Sequence, residues 1–245
     1  MLGTSSADLD ITDRAAVLAY VQACRPAVIV NAAYRYHSWP VCADGAAHVA
    51  LAARRVGARL VHISTDALHG GRPAPYLDDD APTPVSPYGA AKAAAETAVR
   101  AVDPDATVVR TSLIIGDERS KQVRLALDLA TGRADGALFT DEYRCPVAVQ
   151  DLAAAVLELA ESSPAGTINV AGPERLSRAE LGRLAAARYG ADPRRIPTCT
   201  IAESGSGPRP GQVVLDSSRA ATLLRTRLRP ASECFRPATW DTPTS

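Results

Sequence analysis

Tyr88 stands four positions before Lys92 in "SPYGAAKAAAE", residues 86–96, and side chains four apart share one face of a helix. If that helix starts near Pro87, a favoured first position, the Lys92 ammonium can approach the Tyr88 phenol. A neighbouring positive charge favours phenolate and lowers a phenol pKa, as a general acid or base working near neutral pH requires. Seven tyrosines and two lysines, Lys92 and Lys121, give this spacing about 0.06 times per chain by chance. Two side chains sharing an ordinary exposed face is the bland alternative, and spacing alone does not exclude it.

The elements that must position such a pair can be read from the apolar pattern. "AVIVNAA" (27–33), "ARLVHIS" (58–64), "ATVVRTSLIIG" (106–116) and "GTINVAG" (166–172) are short, β-branched and nearly continuous, as strands covered on both faces should be. Between them lie helical patterns: 10–24 with Asp13 as N-cap, and 42–57 closing on Gly57. A third helix, 176–190, opens on the capping box of Ser177 and Glu180 and stops at Gly190. Strands alternating with helices predict an α/β fold, a Rossmann-like doubly wound parallel sheet. Past residue 116 the texture becomes richer in Pro, Gly and Arg, which predicts a smaller C-terminal lobe. Ligands of such sheets bind beyond the carboxyl ends of the strands. Three polar groups follow strands directly, "NAA" (31–33), "STD" (64–66) and "RTS" (110–112), and are expected to gather on one edge beside the helix of Tyr88 and Lys92.

Composition narrows the partners. The 245 residues carry 27 basic and 27 acidic side chains, so no charge excess points to nucleic acid or a membrane surface. Small molecules are the expected partners. Cys24, Cys42, Cys145, Cys199 and Cys234 are scattered singly, which reads as reduced thiols. The start has neither the basic nor the apolar part of a secretory signal, and no apolar run approaches a membrane span. A cytoplasmic location is therefore expected.

The ordered run "LVHISTD…PYLDDDAPTPVSPYGAAKAAAE…VVRTSLIIG…INVAGPERLSRAEL…RPGQVVLDSSRA" resembles the extended short-chain dehydrogenase/reductases, and within them the dTDP-4-dehydrorhamnose reductase family, from about Leu9 to Leu228. The resemblance implies NAD(P)H-dependent reduction of a 4-keto nucleotide sugar, with NADPH or NADH as cofactor. By that resemblance Tyr88 protonates the ketone, Lys92 binds the nicotinamide ribose and lowers the Tyr88 pKa, and Thr65 bonds the same ketone. Asp10, Ile11, Asn31, Ala32, Ala33 and Ser64 become cofactor contacts together with Tyr88 and Lys92; Thr65, Asp66 and Arg209 become substrate contacts. For Arg209 a solvated loop arginine is an equal alternative. Residues 1–116 would form the dinucleotide-binding domain, and 117–245 mainly a substrate-binding lobe, with 137–172 returning elements to the first. A homodimer is left open. The rival function is a non-catalytic subunit that binds a dinucleotide or sugar nucleotide and regulates a partner.

The sequence departs from the family pattern in several places. No G-x-x-G-x-x-G phosphate turn is present, and "GSGPRPG" (205–211) is rejected because it holds two prolines and opens no good helix. "LDITD" normally follows two strands, so an amino-terminal truncation is expected, through a misassigned start, a remnant folded differently, or lost catalysis. The first is preferred because the rest keeps the reductase pattern. Cys42 stands where the family usually has asparagine, "STDALHG" lacks the expected aromatics, and Leu113 replaces a frequent tryptophan. His62 is expected to be a packed strand histidine, the other three histidines to lie at the surface, and "YLDDDAP" (76–82) to be a solvated acidic turn.

Overall fold

A computed structural model describes residues 2–162, 164–207 and 209–236. Its centre is a parallel sheet of four strands, β1 (Val28–Asn31), β2 (Arg59–Thr65), β3 (Thr107–Thr111) and, arriving later in the chain, Gly166–Val170, in that spatial order. The fold is α/β and Rossmann-like. Helices α1 (Arg14–Cys24), α2 (Gly45–Val56) and α3 (Pro87–Val102) cover one face. Leu60 and Val108 point into the core that Val17, Val49, Ala53, Ala95 and Val99 fill there. Their chain neighbours Val61 and Val109 point the opposite way, onto Leu152, Val156 and Leu159 of the helix Val149–Ser162. Alternate residues of a strand face opposite sides, so covering both faces explains the unbroken apolar runs.

The expected strand 106–116 is interrupted. β3 ends at Thr111, and Ile114–Ile115 (β4) pairs instead with Val147–Ala148, which carries the chain into a second core. There Val123, Ala126 and Leu129 of α4 (Lys121–Ala130) meet Leu181, Ala185 and Ile196. The remaining short strands are β5 (Leu138–Phe139), paired with Thr198–Cys199, β6 (Tyr143–Arg144), paired with Leu176–Ser177 (β9), and β7 (Val147–Ala148). The helix Val149–Ser162 is α5, the strand Gly166–Val170 is β8, and Arg178–Arg188 is α6.

Local signals held where a specific hydrogen bond stood behind them. The Asp13 carboxylate accepts from the Ala15 and Ala16 amides at the start of α1, Ser177 and Glu180 form the reciprocal capping box of α6, and Gly57 closes α2 with φ +70°. The helix expected from residue 42 begins as a π-helical turn, Pro40–Asp44, before α2. Two other expectations are corrected. The acidic turn is not simply solvated: Asp80 pairs with Arg72, and Asp78 accepts from the Asn169 amide at 2.8 Å and pairs with Arg219, tying the loop to β8. Trp240 lies outside the described residues.

His69, expected at the surface, is fully buried and stacked on Tyr76 at 3.8 Å, and neither ring nitrogen has a partner among the described residues. Burial foremost, then the Arg110 charge, pushes its pKa from 6.5 down to about 3. The unfolded chain therefore takes up a proton near pH 6.5 that the fold refuses until about pH 3. Stability is present above that window and is lost as pH falls through it. His62, depressed in the same direction, adds the same sign. In urea unfolding at a series of pH values, His69→Phe is expected to flatten the acid limb by one bound proton; an unchanged limb contradicts the assignment.

Candidate active site

Ser86 accepts from the Gly89 amide at 3.1 Å and Pro87 occupies the first helical position, so α3 starts where the sequence places it. The helix crosses the carboxyl end of β2 at very short range. A Cβ on Gly89 would lie 2.2 Å from the Ala67 carbonyl oxygen. Thr65, the last residue of β2, caps the turn Asp66–Leu68 by accepting from the Ala67 amide at 3.2 Å. The Thr65 hydroxyl acts on the Tyr88 phenol in the direction that lowers its pKa. Gly89→Ala is expected to force α3 away from that turn, costing about 1–3 kcal/mol of stability and lowering turnover with it. Melting temperature and kcat both equal to wild type would show that the contact relaxes freely.

Lys92 lies one turn deeper and is 2% exposed. Its Nζ donates to the Ile63 carbonyl at 2.6 Å and lies 3.3 Å from His62 Nε2. The expected tuning of Tyr88 by Lys92 is corrected here. The ammonium is aimed into the sheet, and the phenol pKa is raised, by burial first, with Cys42, Asp66 and Tyr34 adding and only Thr65 opposing. Burial also brings Lys92 down to about 8, against the pull of Cys42 and Glu96. Tyr36 stacks on Tyr88 at 4.8 Å between ring centroids. Cys42, buried in the π-helical turn, donates its thiol to the Arg35 carbonyl at 3.2 Å.

The expected cofactor contacts divide into two groups. Asp10, Ile11, Asn31, Ala32 and Ala33 line one cleft of about 650 Å³ along β1. Asp10 accepts from the Thr12 amide and hydroxyl, and His48 Nδ1 bonds the Ile11 carbonyl at 3.0 Å. Ala32 and Ala33 are exposed at its rim. Such a cleft, with a buried amide at Asn31 and exposed main chain beside it, fits an extended dinucleotide. Ser64 stands apart, its hydroxyl donating to Glu96 at 2.6 Å.

Of the expected substrate contacts, Thr65 is partly open. Asp66 is 4% exposed, accepts from Ser112 at 2.6 Å and pairs with Arg144 at 3.6 Å. Burial raises its pKa, opposed by Arg144 and Ser112. Arg209 is neither free nor merely solvated, since it pairs with Glu142 at 3.0 Å. Arg144 and Arg178 reach the same carboxylate at 3.4 and 4.0 Å, and Arg178 Nη1 is buried without a hydrogen-bond partner among the described residues.

Sequence reasoning missed three features. His62 bridges Asn31 and Lys92. Glu96 and Arg110 form a dry ion pair at 2.9 Å beneath Ser64. Glu142 gathers three arginines. Only the first left a signal, a histidine two residues before "STD" on a strand whose neighbour ends in asparagine.

A family model described as the RmlD substrate binding domain matches residues 1–240. The chain belongs to this family. It is 36% identical over 257 residues to the dTDP-4-dehydrorhamnose reductase of Mycolicibacterium smegmatis, covering 97% of this chain and 77% of that protein. The dTDP-4-dehydrorhamnose reductase of Mycobacterium tuberculosis is 34% identical over 247 residues, 94% of this chain and 81% of that protein. A crystal structure of dTDP-4-dehydrorhamnose reductase from Bacillus anthracis in complex with NADP superposes with a TM-score of 0.86 at 26% identity, covering 95% of this chain and 86% of that one. No helix among the described residues is long and apolar enough to cross a membrane.

Proposed function

We propose that this RmlD-family chain reduces the 4-keto group of a nucleotide sugar of the dTDP-4-dehydrorhamnose type with NADPH or NADH. One observation carries the reading: the Thr65 hydroxyl acts on the Tyr88 phenol at the carboxyl end of β2, and Lys92 of the same helix as Tyr88 is anchored on the Ile63 carbonyl of that strand. The names of the relatives and the NADP in the Bacillus anthracis structure support it. The cofactor supplies a hydride to the ketone carbon when bound. Negative charge then builds on the ketone oxygen, where Tyr88 gives its proton and the Thr65 hydroxyl is a second donor, both stabilising the charge as it develops. The Tyr88 phenol is protonated at neutral pH and so has a proton to give.

In this reading Asp10, Ile11, Asn31, Ala32 and Ala33 hold the dinucleotide along the β1 cleft, and Ser64, Tyr88 and Lys92 serve its nicotinamide end. Asp66 and Arg209 serve the sugar nucleotide from one cluster, joined through Arg144 and Glu142. Residues 1–116 are the dinucleotide-binding part; 117–245 are mainly the substrate lobe, with 137–172 returning to the sheet. In this reading the protein works in the cytoplasm. Purified protein mixed with NADPH or NADH and dTDP-4-dehydrorhamnose is expected to consume the reduced cofactor and form the 4-hydroxy sugar in equal amounts. Cofactor binding with no turnover would favour the regulatory subunit instead, and neither binding nor turnover would sink both readings.

A further inference from the structure

Tyr88 is the second residue of α3, after Ser86 as cap and Pro87 in the first position. Side chains inside a helix lean back on the turn that precedes them. Tyr88 has no such turn behind it, so its ring must be held from outside the helix. Cys42 and Ala43 of the π-helical turn pack with Ala91 against one part of it, but these side chains are small and leave Tyr88 half-buried. The remaining hold comes from Tyr36. The two rings stack with centroids 4.8 Å apart and 23° between their planes, in the range where aromatic pairs attract beyond the area they bury.

Tyr36 is itself fixed, although it is 53% exposed. It lies in the connection from β1 to the π-helical turn, and a small hydrogen-bonded loop closes around it. The Ser38 amide donates to the Arg35 carbonyl at 2.9 Å, the Cys42 amide to the Ser38 carbonyl at 3.1 Å, and the Cys42 thiol to the Arg35 carbonyl at 3.2 Å. The His37 ring meets Tyr36 edge-on at 4.8 Å. The Lys121 ammonium, at the start of α4, lies 5.8 Å from the Tyr36 centroid, within reach of a cation–π contact. Tyr36 is thus held by the sheet side and by the second core together. Its hydroxyl has no hydrogen-bond partner among the described residues, which leaves the ring as the working part.

We propose that Tyr36 is a positioning residue for the reaction, a ring that stacks on Tyr88 and confines it to one orientation at the carboxyl end of β2. The role rests on the reductase reading, in which Tyr88 must aim its proton at a ketone oxygen. Small misplacements of such a group are costly in rate, and a side chain at the open start of a helix is the one most in need of an outside wall. Tyr34, two residues earlier, lines the β1 cleft. The same short connection therefore borders the dinucleotide cleft and holds the acid.

Tyr36→Leu removes the aromatic face and Tyr36→Phe keeps it. In steady-state assays with NADPH and dTDP-4-dehydrorhamnose, Tyr36→Leu is expected to lower kcat and kcat/KM together by about threefold to tenfold, the scale of one aromatic contact. Tyr36→Phe is expected to restore both. Equal kcat in wild type and Tyr36→Leu, an equal loss in Tyr36→Phe, or a faster Tyr36→Leu, as for a ring that blocks the site, would overturn the proposal and leave the reductase reading standing. No turnover in the wild type would sink that reading and this role with it. A measurement on the wild-type protein without cofactor stands apart from both. In tyrosine-labelled protein, with the Tyr88 ring signals assigned by their loss in Tyr88→Phe, cross-relaxation between the Tyr36 and Tyr88 rings is expected; its absence would overturn the proposal even where a variant fails to fold.

Discussion

Tyr88→Phe is expected to lower kcat by about 10²- to 10⁴-fold, the usual worth of a positioned proton donor, without abolishing cofactor binding. The phenylalanine ring keeps the stacking on Tyr36 and the start of α3, because Ser86, Pro87 and Gly89 define that start without the phenol. What is lost is one hydroxyl at the end of β2, while Thr65 stays in place through the Ala67 amide. Thr65 remains as a single donor to the developing charge, so a residual rate above the uncatalysed reaction is expected. Steady-state rates of the two proteins under saturating cofactor, with cofactor binding measured separately, provide the check. Equal kcat values would remove Tyr88 from the chemistry and with it the reductase reading.

Glu96→Leu is expected to destabilise the fold by about 3–5 kcal/mol, because it leaves the Arg110 guanidinium charged and unpaired in a dry interior. Glu96 and Arg110 are 0% and 1% exposed, and two guanidinium nitrogens reach the carboxylate at 3.1 and 2.9 Å. The remaining Arg110 donors bond the Asp78 and Asp80 carbonyls, so this ion pair fastens α3, β3 and the acidic loop together. Changing both residues, Glu96→Leu with Arg110→Met, is expected to recover much of the loss, since apolar side chains of similar volume often replace a buried pair at little cost. Urea unfolding of the single and double variants measures both effects. A single-variant loss below about 1 kcal/mol, as for an exposed pair, would contradict the burial of this one.

The sheet and the helices that flank it were legible because each residue had a local reason to be where it is. Apolar runs without alternation announced covered strands, Asp13 and Ser177 announced helix starts through hydrogen bonds to amides two or three residues on, and Pro87 marked the start of α3. Tyr88, Lys92 and Thr65 could be brought together because strand ends and helix spacing are regular. Residues whose roles depend on distant partners were not legible. Glu96 and Arg110 are 14 positions apart, and nothing near either one marks it as buried. His69 was placed at the surface because its neighbours are loop residues, yet Tyr76 covers it. The expected direction of the Tyr88 pKa failed for a similar reason: helical spacing brings Lys92 to the same face as Tyr88, but the Ile63 carbonyl, which spacing cannot reveal, captures its ammonium.

The cluster at Glu142 changes what the zero net charge of the chain means. Arg144, Arg178 and Arg209 surround that carboxylate, and Asp66 is the other acid within reach, so cations outnumber anions where the sheet meets the second lobe. With the Arg144 and Arg178 side chains 7% and 15% exposed, such a local surplus is screened less than one on the open surface. The zero net charge is therefore a sum that hides a local positive surplus at this one cluster.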